Sequence, residues 1–308
     1  MDTRIYRFLA LTFGISWLVA AVIWFVGLPY NGSTANWLIS LLYLPAPGIA
    51  ALLLSSISQQ PILPLLHWRH INWRQVAYLP LIFVGFIIAS FLVVYLLGNT
   101  LQLPNVGSLE WSEGSVKYRL AQFANSQPNY SKPIFLGSLW LFLGGLGSII
   151  AAGFTLNAIK SVAEELGWRG YLYQYISDWG YGKSSLFIGV AVGLWLLPLV
   201  SLLGVNFPNH PYLGALLTLL GSILSSFLLT AARRRVGSVW GAAILSGMLR
   251  GCAMLFFVYI VGGTELYASP VGIAGVGGLL LVVAILALLR YGRIDNSDST
   301  LPNTQQNL

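Results

Sequence analysis

The chain has 308 residues, of which 56% are hydrophobic and only 8% are charged. Because ordinary soluble domains carry about 25% charged residues, this composition excludes a soluble domain and predicts a polytopic membrane protein. The net charge of +7 requires no nucleic-acid partner, since basic residues beside membrane spans account for it. The single cysteine, Cys252, excludes an intramolecular disulfide.

Uncharged apolar runs of about 20 residues mark helices that cross a membrane. The sequence contains eight apolar runs of this kind, one of which, the seventh, carries a single charge: Phe8 to Leu28, Trp37 to Ile57, Val76 to Leu97, Ile134 to Ile159, Ser184 to Val205, Tyr212 to Ala232, Val236 to Val261 and Val271 to Leu289. We therefore predict an all-α bundle of about eight transmembrane helices over residues 1–291. The polar residues 292–308 are predicted to form a disordered tail.

The distribution of lysines and arginines predicts the orientation of the bundle. With the N-terminus inside, the inner segments hold most of the basic residues: Arg4, Arg7, Arg69, Arg74, Lys160, Arg169, Lys183, Arg233, Arg234, Arg235, Arg290 and Arg293. The outer segments hold Lys117, Arg119 and Lys132, all in one long loop, and Arg250 lies within a span. The positive-inside rule thus predicts cytoplasmic termini. We expect an integral multi-pass protein of a bacterial plasma membrane.

Several irregular features are expected within and between the spans. LPAPGIAA, residues 44–51, should kink the second span and let a neighbouring helix approach closely. The fourth span is longer than the membrane requires, and Gly144 and Gly145 within it permit either close packing or a bend. The polar segment from Asn99 to Pro133 is expected to be an outer loop with a short surface helix. His67 and His70 fit an interfacial belt better than a metal site, because no third ligand accompanies them.

The segment SVAEELGWRGYLYQY, residues 161–175, concentrates charge in a chain with only 9 acidic residues. In a helix Glu165 and Arg169 lie four residues apart and can pair on one face. Glu164 points about 100° away, where it is available to a cavity or another helix. Ionisable residues at a membrane are costly unless paired or used, so these residues are candidates for function.

The string EELGWRGYL resembles the first motif of the CPBP family, the CAAX proteases and bacteriocin-processing enzymes also called Abi proteins. These are intramembrane metallo-endopeptidases related to the type II CAAX prenyl proteases. GLWLLP, residues 193–198, and GSVWGAAILSGMLRG, residues 237–251, resemble the second and third motifs, and the last helix is also similar. The resemblance implies a cavity open toward the cytoplasmic leaflet. In the family the first glutamate is a general base, histidines bind the metal or polarise the scissile carbonyl, and an asparagine stabilises the oxyanion.

Only Glu164, Glu165 and Arg169 match the family's catalytic pattern. Leu196 stands where the second motif has a histidine, Ser246 where the third has its histidine and Arg250 where it has its asparagine. A leucine cannot bind a metal, and one carboxylate pair is a poor zinc site. We therefore expect no cofactor here, in place of the family's zinc or other divalent metal.

Arg250 lies near the centre of an otherwise uncharged span, where an unpaired arginine costs about 2.5–3.5 kcal/mol. Glu164 or Glu165 is therefore its expected partner, and the guanidinium is expected to occupy the space of the lost metal.

Two classes of function remain open from the sequence. One is a pseudoprotease, with a degenerate site, that binds membrane proteins or peptides in the inherited cavity or acts as a scaffold. The other is an active intramembrane endopeptidase that uses Glu164 as general base on peptides or CAAX-like tails. A secondary transporter has little support, because no inverted repeat of broken helices is evident. The expected partners are membrane lipid and a membrane protein or peptide.

Overall fold

The computed structural model describes residues 2–59, 63–66, 71–126 and 137–291. His67, His70, the tail of residues 292–308 and Ile134, where the fourth span was expected to begin, lie outside the described residues. The predictions for them therefore stay predictions.

Fourteen α-helices are present in the described part of the chain: α1 (Thr3–Val26), α2 (Ser33–Leu38), α3 (Ala46–Ser58), α4 (Trp73–Val76), α5 (Leu79–Val94), α6 (Glu113–Ser126), α7 (Ser138–Phe154), α8 (Leu156–Glu165), α9 (Gly180–Ser201), α10 (Pro211–Val236), α11 (Val239–Gly251), α12 (Ala253–Tyr259), α13 (Glu265–Ala268) and α14 (Ile273–Leu288). Three π-helical segments continue α2, α5 and α8, at Ile39–Tyr43, Tyr95–Thr100 and Leu166–Leu172. Short 3₁₀ turns lie at Leu63–Leu66 and Ser177–Trp179. The two strands, β1 (Ser108–Leu109) and β2 (Ile260–Val261), pair antiparallel.

Among these described elements, seven continuous helical segments are long and apolar enough to cross a membrane, and counting the bent pair α7–α8 as one span gives eight. The predicted all-α polytopic membrane bundle is confirmed. The predicted outer loop contains a helix, α6, as expected. Its strand β1, which pairs with β2 at the end of α12, was not predicted.

The bundle has two distinct ends. At the terminal end, the guanidinium of Arg4 lies 5.5 Å from the ring of Tyr175, and Arg235 Nε donates to the carbonyl of Tyr291. At the loop end, the backbone N–H of Thr264 donates to Asn105 O at 3.0 Å. The described residues nearest the two termini therefore lie at one end, and the loop around α6 lies at the other. This agrees with an even number of spans.

The fourth span bends at Thr155. Of the two expectations for Gly144 and Gly145, the bend is not found, whereas close packing is found at Gly145, where a Cβ would lie 3.2 Å from Leu255 Cδ2. Helix α7 runs through both glycines without interruption. Thr155 leaves the helical region, with φ −123° and ψ −107°, and α7 and the segment that begins at Leu156 differ in direction by 49°. A glycine within a helix costs about 1 kcal/mol but does not by itself break it. The break instead lies beside Asn157, whose side-chain amide donates to the carbonyl of Gly247.

The sixth and seventh predicted spans also have different bounds. Helix α10 continues to Val236, where the seventh span was expected to begin, and ends because Gly237 adopts a left-handed conformation with φ 77°. Ser238 then caps α11, its side chain accepting a hydrogen bond from the N–H of Trp240. Near the loop end the seventh span stops at Tyr259, and the predicted end, Val261, belongs to β2.

The expected close packing of the second span is present, and it holds the segment that carries the glutamates. A Cβ on Gly48 would lie 2.3 Å from the carbonyl oxygen of Ala163, and one on Gly167 would lie 2.4 Å from the backbone of Pro47. Only glycine permits this approach of α3 to α8 and its π-helical continuation. Backbone contact of this kind positions Glu164 and Glu165 without side chains in between.

Candidate functional site

Helix α8 and its π-helical continuation carry the charged motif. Residues 166–172 are all buried, as are Glu164 and Glu165. A π-helical turn adds a residue to the helical repeat and is frequent at functional sites. The motif is thus a buried, irregular helix in the interior of the bundle and is not an exposed interfacial helix.

The predicted pair of Glu165 and Arg169 is present. Arg169 Nη1 donates to Glu165 Oε2 at 2.6 Å, and each side chain is only 3% exposed. The same guanidinium donates through Nη2 to the hydroxyl of Ser226 on α10, at 3.1 Å. Arg233 Nε donates to the carbonyl of Arg169. This pair therefore joins the motif to α10.

Of the two expected partners of Arg250, Glu164 and Glu165, the structure shows Glu164. Arg250 Nη1 donates to Glu164 Oε1 at 2.6 Å, and Nη2 donates to Glu164 Oε2. The glutamate side chain is 3% exposed, whereas that of the arginine is 46% exposed. A guanidinium binds a carboxylate in this forked manner with high geometric specificity. Glu164, which the sequence left available, is engaged through both of its oxygens.

The second motif contributes a structural tryptophan beside the cavity residue Leu196. The indole Nε1 of Trp195 donates to the hydroxyl of Ser16 at 2.7 Å, and its carbonyl accepts from the hydroxyl of Tyr43 and from Trp17 Nε1. These contacts tie α9 to the first two spans. They fix the register of α9, and so the position of Leu196.

All six motif positions line one cavity of about 630 Å³. Glu164, Glu165, Arg169 and Arg250 supply its charged side, and Leu196 and Ser246 also contribute to its lining. Serine and threonine side chains of α10 add polar groups, and further lining comes from apolar residues of α9, α11, α12 and α14: Val192, Leu199, Leu249, Phe256, Val276 and Leu279. Ligand pockets typically measure 300–1,000 Å³ and combine apolar walls with a few polar groups. The cavity has this character.

Arg119 and Ser222 are polar cavity residues that the sequence did not assign. Arg119, on α6 in the predicted outer loop, donates through Nε and Nη2 to the carbonyl of Phe257. Its guanidinium also lies 4.1 Å from the centre of the Phe257 ring. It lines the cavity although it lies in the loop sequence. The available signal was the charge of Arg119 itself and, for α10, the polar positions in an otherwise apolar span.

The cavity extends from the charged motif to the loop end of the bundle. Its lining includes Asn206, Thr264, Glu265 and Val271, which belong to the loops at that end. The resemblance implied a cavity open toward the cytoplasmic leaflet, while the charge rule predicted cytoplasmic termini. The described residues nearest the termini lie at the opposite end of the bundle from these loops. If the termini are cytoplasmic, a cavity that opens through the loops opens on the other side of the membrane, and not toward the cytoplasmic leaflet.

A comparison with protein-family models identifies a domain within this chain. The model described as type II CAAX prenyl endopeptidase Rce1-like matches residues 139–252. The chain carries an Rce1-like domain. This confirms the resemblance to the type II CAAX prenyl endopeptidases over that segment, which contains all six motif positions. A comparison with curated proteins gave no match.

The donor set of this Rce1-like domain does not fit the metal of the family. Zinc sites use histidine nitrogen, cysteine sulfur and carboxylate oxygen, with about three protein ligands in catalytic sites. Leu196 offers no ligand atom, Ser246 offers only a hydroxyl and Arg250 brings a positive charge to Glu164. Within the described ranges, no three His, Cys, Asp or Glu side chains are grouped so that they could hold a metal ion.

Proposed function

We propose that the protein is a CAAX-protease homologue with a degenerate active site, which binds a membrane protein or peptide in its cavity and does not cleave it. The observation that carries the proposal is the engagement of Glu164. Both of its carboxylate oxygens accept hydrogen bonds from Arg250, the residue that replaces the family's asparagine.

This contact opposes general-base catalysis. A general base must lie within hydrogen-bond reach of the proton it removes, with a free lone pair to receive it. Because the guanidinium already donates to both carboxylate oxygens of Glu164, an attacking water would have to compete with it for them. In addition, Leu196 and Ser246 provide no imidazole to polarise a scissile carbonyl or to hold a Lewis acid.

The same cavity is suited to binding. It is large enough for an apolar segment of several residues, and its walls supply the apolar area that drives burial. Arg250 is half exposed while Glu164 behind it is buried. The lining includes hydrogen-bond donors, among them the side chains of Arg250 and Arg119, which suit the carbonyl oxygens of a peptide.

The second candidate function is an active endopeptidase that uses Glu164 as base. It is favoured by the presence of both glutamates and Arg169 beside a cavity of the right size. It requires that substrate displaces Arg250 from Glu164. The two functions therefore differ in whether Glu164 is needed for cleavage.

The discriminating experiment compares metal content and peptide cleavage in three purified proteins: wild type, Glu164→Ala, and the triple variant Leu196→His, Ser246→His and Arg250→Asn. We expect wild type to contain no stoichiometric zinc and to show no cleavage that depends on Glu164. The triple variant rebuilds the family pattern and should gain zinc. Cleavage by wild type that Glu164→Ala abolishes would overturn the degenerate-site proposal.

A second measurement tests binding directly, with a fluorescent farnesylated peptide that ends in a CAAX-like tail. Leu196→Trp adds bulk to the cavity lining and should abolish binding, while the same change on the lipid-facing side, Leu186→Trp, should leave it unchanged. Leu186 is 48% exposed. Equal binding by both variants would show that the peptide is held outside the cavity.

A further inference from the structure

A second cavity lies between α5 and α14 and shares no lining residue with the first. It has a volume of about 490 Å³ and is lined by Gln75, Tyr78, Leu81, Ile82, Gly85, Arg235, Val282, Ile285, Leu286, Leu289 and Tyr291. Leu81, Ile285 and Leu289 are more than half exposed, so the cavity opens on the outer, lipid-facing surface of the bundle. We refer to it as the α5–α14 groove.

Glycine creates the apolar part of this groove. A Cβ added to Gly85 would meet only Val282 Cγ2, at 4.0 Å. The space at this position is therefore open because Gly85 has no side chain to fill it. From Tyr78 to Gly85 the helix rises about 10 Å. This length follows the direction of the spans, as an acyl chain does.

The polar part of the groove lies at the terminal end. Arg235 Nε donates to the carbonyl of Tyr291 at 2.7 Å, and its guanidinium lies 4.7 Å from the ring of Tyr291. Arg235 is the one charged side chain among the described residues of the lining. Gln75 Oε1 and the hydroxyl of Tyr291 have no hydrogen-bond partner in the described part of the chain. Burial raises the pKa of Tyr291, which keeps the phenol a neutral donor.

We propose that the α5–α14 groove binds an anionic phospholipid, with one acyl chain against Gly85 and the phosphate beside Arg235. The apolar length matches an acyl chain, and Arg235 and the hydroxyl of Tyr291 at its end provide a cation and a hydrogen-bond donor for the phosphate. Basic pockets between transmembrane helices bind anionic headgroups in this way. The leaflet is the one on the side of the two termini.

The test uses the full-length protein in neutral detergent, with native mass spectrometry to measure binding of phosphatidylglycerol and of phosphatidylcholine with the same acyl chains. Wild type should bind phosphatidylglycerol more tightly. Arg235→Gln should lower the affinity for phosphatidylglycerol by about fivefold, the value of one basic residue near the headgroup. It should leave the affinity for phosphatidylcholine unchanged. Arg235→Lys keeps the charge and should retain the preference.

Gly85→Leu tests the acyl part and should weaken both lipids, because the new side chain fills the groove. Two matched controls should bind as wild type does. Lys183→Gln removes an exposed cation from α9, and Gly144→Leu adds the same bulk on α7, where a Cβ meets no atom within 4 Å. Equal affinity of wild type for the two lipids would overturn the proposal. Failure of wild type to bind either lipid would also overturn the proposal and is the result expected if residues 292–308 cover the groove. Equal losses of affinity in the control variants would overturn it as well.

Discussion

The ion pair of Glu164 and Arg250 allows a prediction in which the two single substitutions have unequal costs. Arg250→Met leaves a carboxylate whose side chain is 3% exposed, whereas Glu164→Gln leaves an arginine whose side chain, taken as a whole, is 46% exposed. Removing one partner of a buried pair costs about 3–5 kcal/mol, because the other charge stays buried. We expect this full cost for Arg250→Met. For Glu164→Gln we expect about 1–2 kcal/mol, since the remaining group keeps access to the cavity and to a hydrogen bond.

The double variant should be more stable than the sum of the single changes predicts. Glutamine and methionine leave no buried charge, so the double variant should lose no more than about 2 kcal/mol. The single costs sum to about 4–7 kcal/mol, so the coupling energy of the cycle is about 2–5 kcal/mol, at or above the upper end of values for residues in direct contact. The assay is equilibrium unfolding of the detergent-solubilised protein, followed by intrinsic fluorescence.

The pair of Glu165 and Arg169 provides the matched comparison. Both of its side chains are 3% exposed, so Glu165→Gln and Arg169→Met should each be severe and nearly equal. The reasoning is refuted if Glu164→Gln is as costly as Arg250→Met, or if their effects simply add. Equal costs would mean that the guanidinium of Arg250 has no effective access to solvent or ligand, so that the cavity is closed in the membrane. Additive effects would mean that the two side chains do not interact.

Three further predictions concern packing and access. Gly167→Ala brings a Cβ to 2.4 Å from the backbone of Pro47 and should destabilise the protein by about 1–3 kcal/mol in the same unfolding assay. Gly182→Ala is the control, because a Cβ at that position would meet no atom within 4 Å, and it should be neutral or slightly stabilising. Reporter fusions should place both termini in the cytoplasm and Asn125 on the opposite side; a terminus on the outside would contradict the orientation. Thr218→Cys should react with an impermeant thiol reagent added on the side of Asn125, and reaction only from the other side would show that the cavity opens elsewhere.

Local sequence was sufficient for much of the architecture. The apolar runs predicted the spans because the thickness of a membrane requires about 20 such residues. The pairing of Glu165 with Arg169 followed from helical spacing alone. The partner of Arg250 followed from cost, since a charge within a span needs a counter-charge and few acidic residues were available.

The features that were missed depend on tertiary contacts. Thr155 is not a residue that breaks helices by itself, and the break there adjoins contacts between Asn157 and a helix about 90 residues away. Strands β1 and β2 have two residues each, too few for an alternating pattern. The two cavities could not be located because a gap between helices depends on which faces meet. Gly85 gave no sign in the sequence that it borders a groove.

The separation of Glu164 from Arg250 has a consequence for how the chain enters the membrane. Arg169 follows Glu165 by four residues, so that pair can form as soon as the helix does, but Arg250 is synthesised 86 residues after Glu164. At about 5–20 residues per second, this interval lasts roughly 4–17 s. During it Glu164 has no arginine to bind on α11, and it must either carry a proton or stay near the aqueous edge of the membrane. If Glu164 stays ionised, the fourth span therefore reaches its final depth only after the seventh has been inserted, and a chain truncated before α11 would retain a carboxylate without the arginine that binds it.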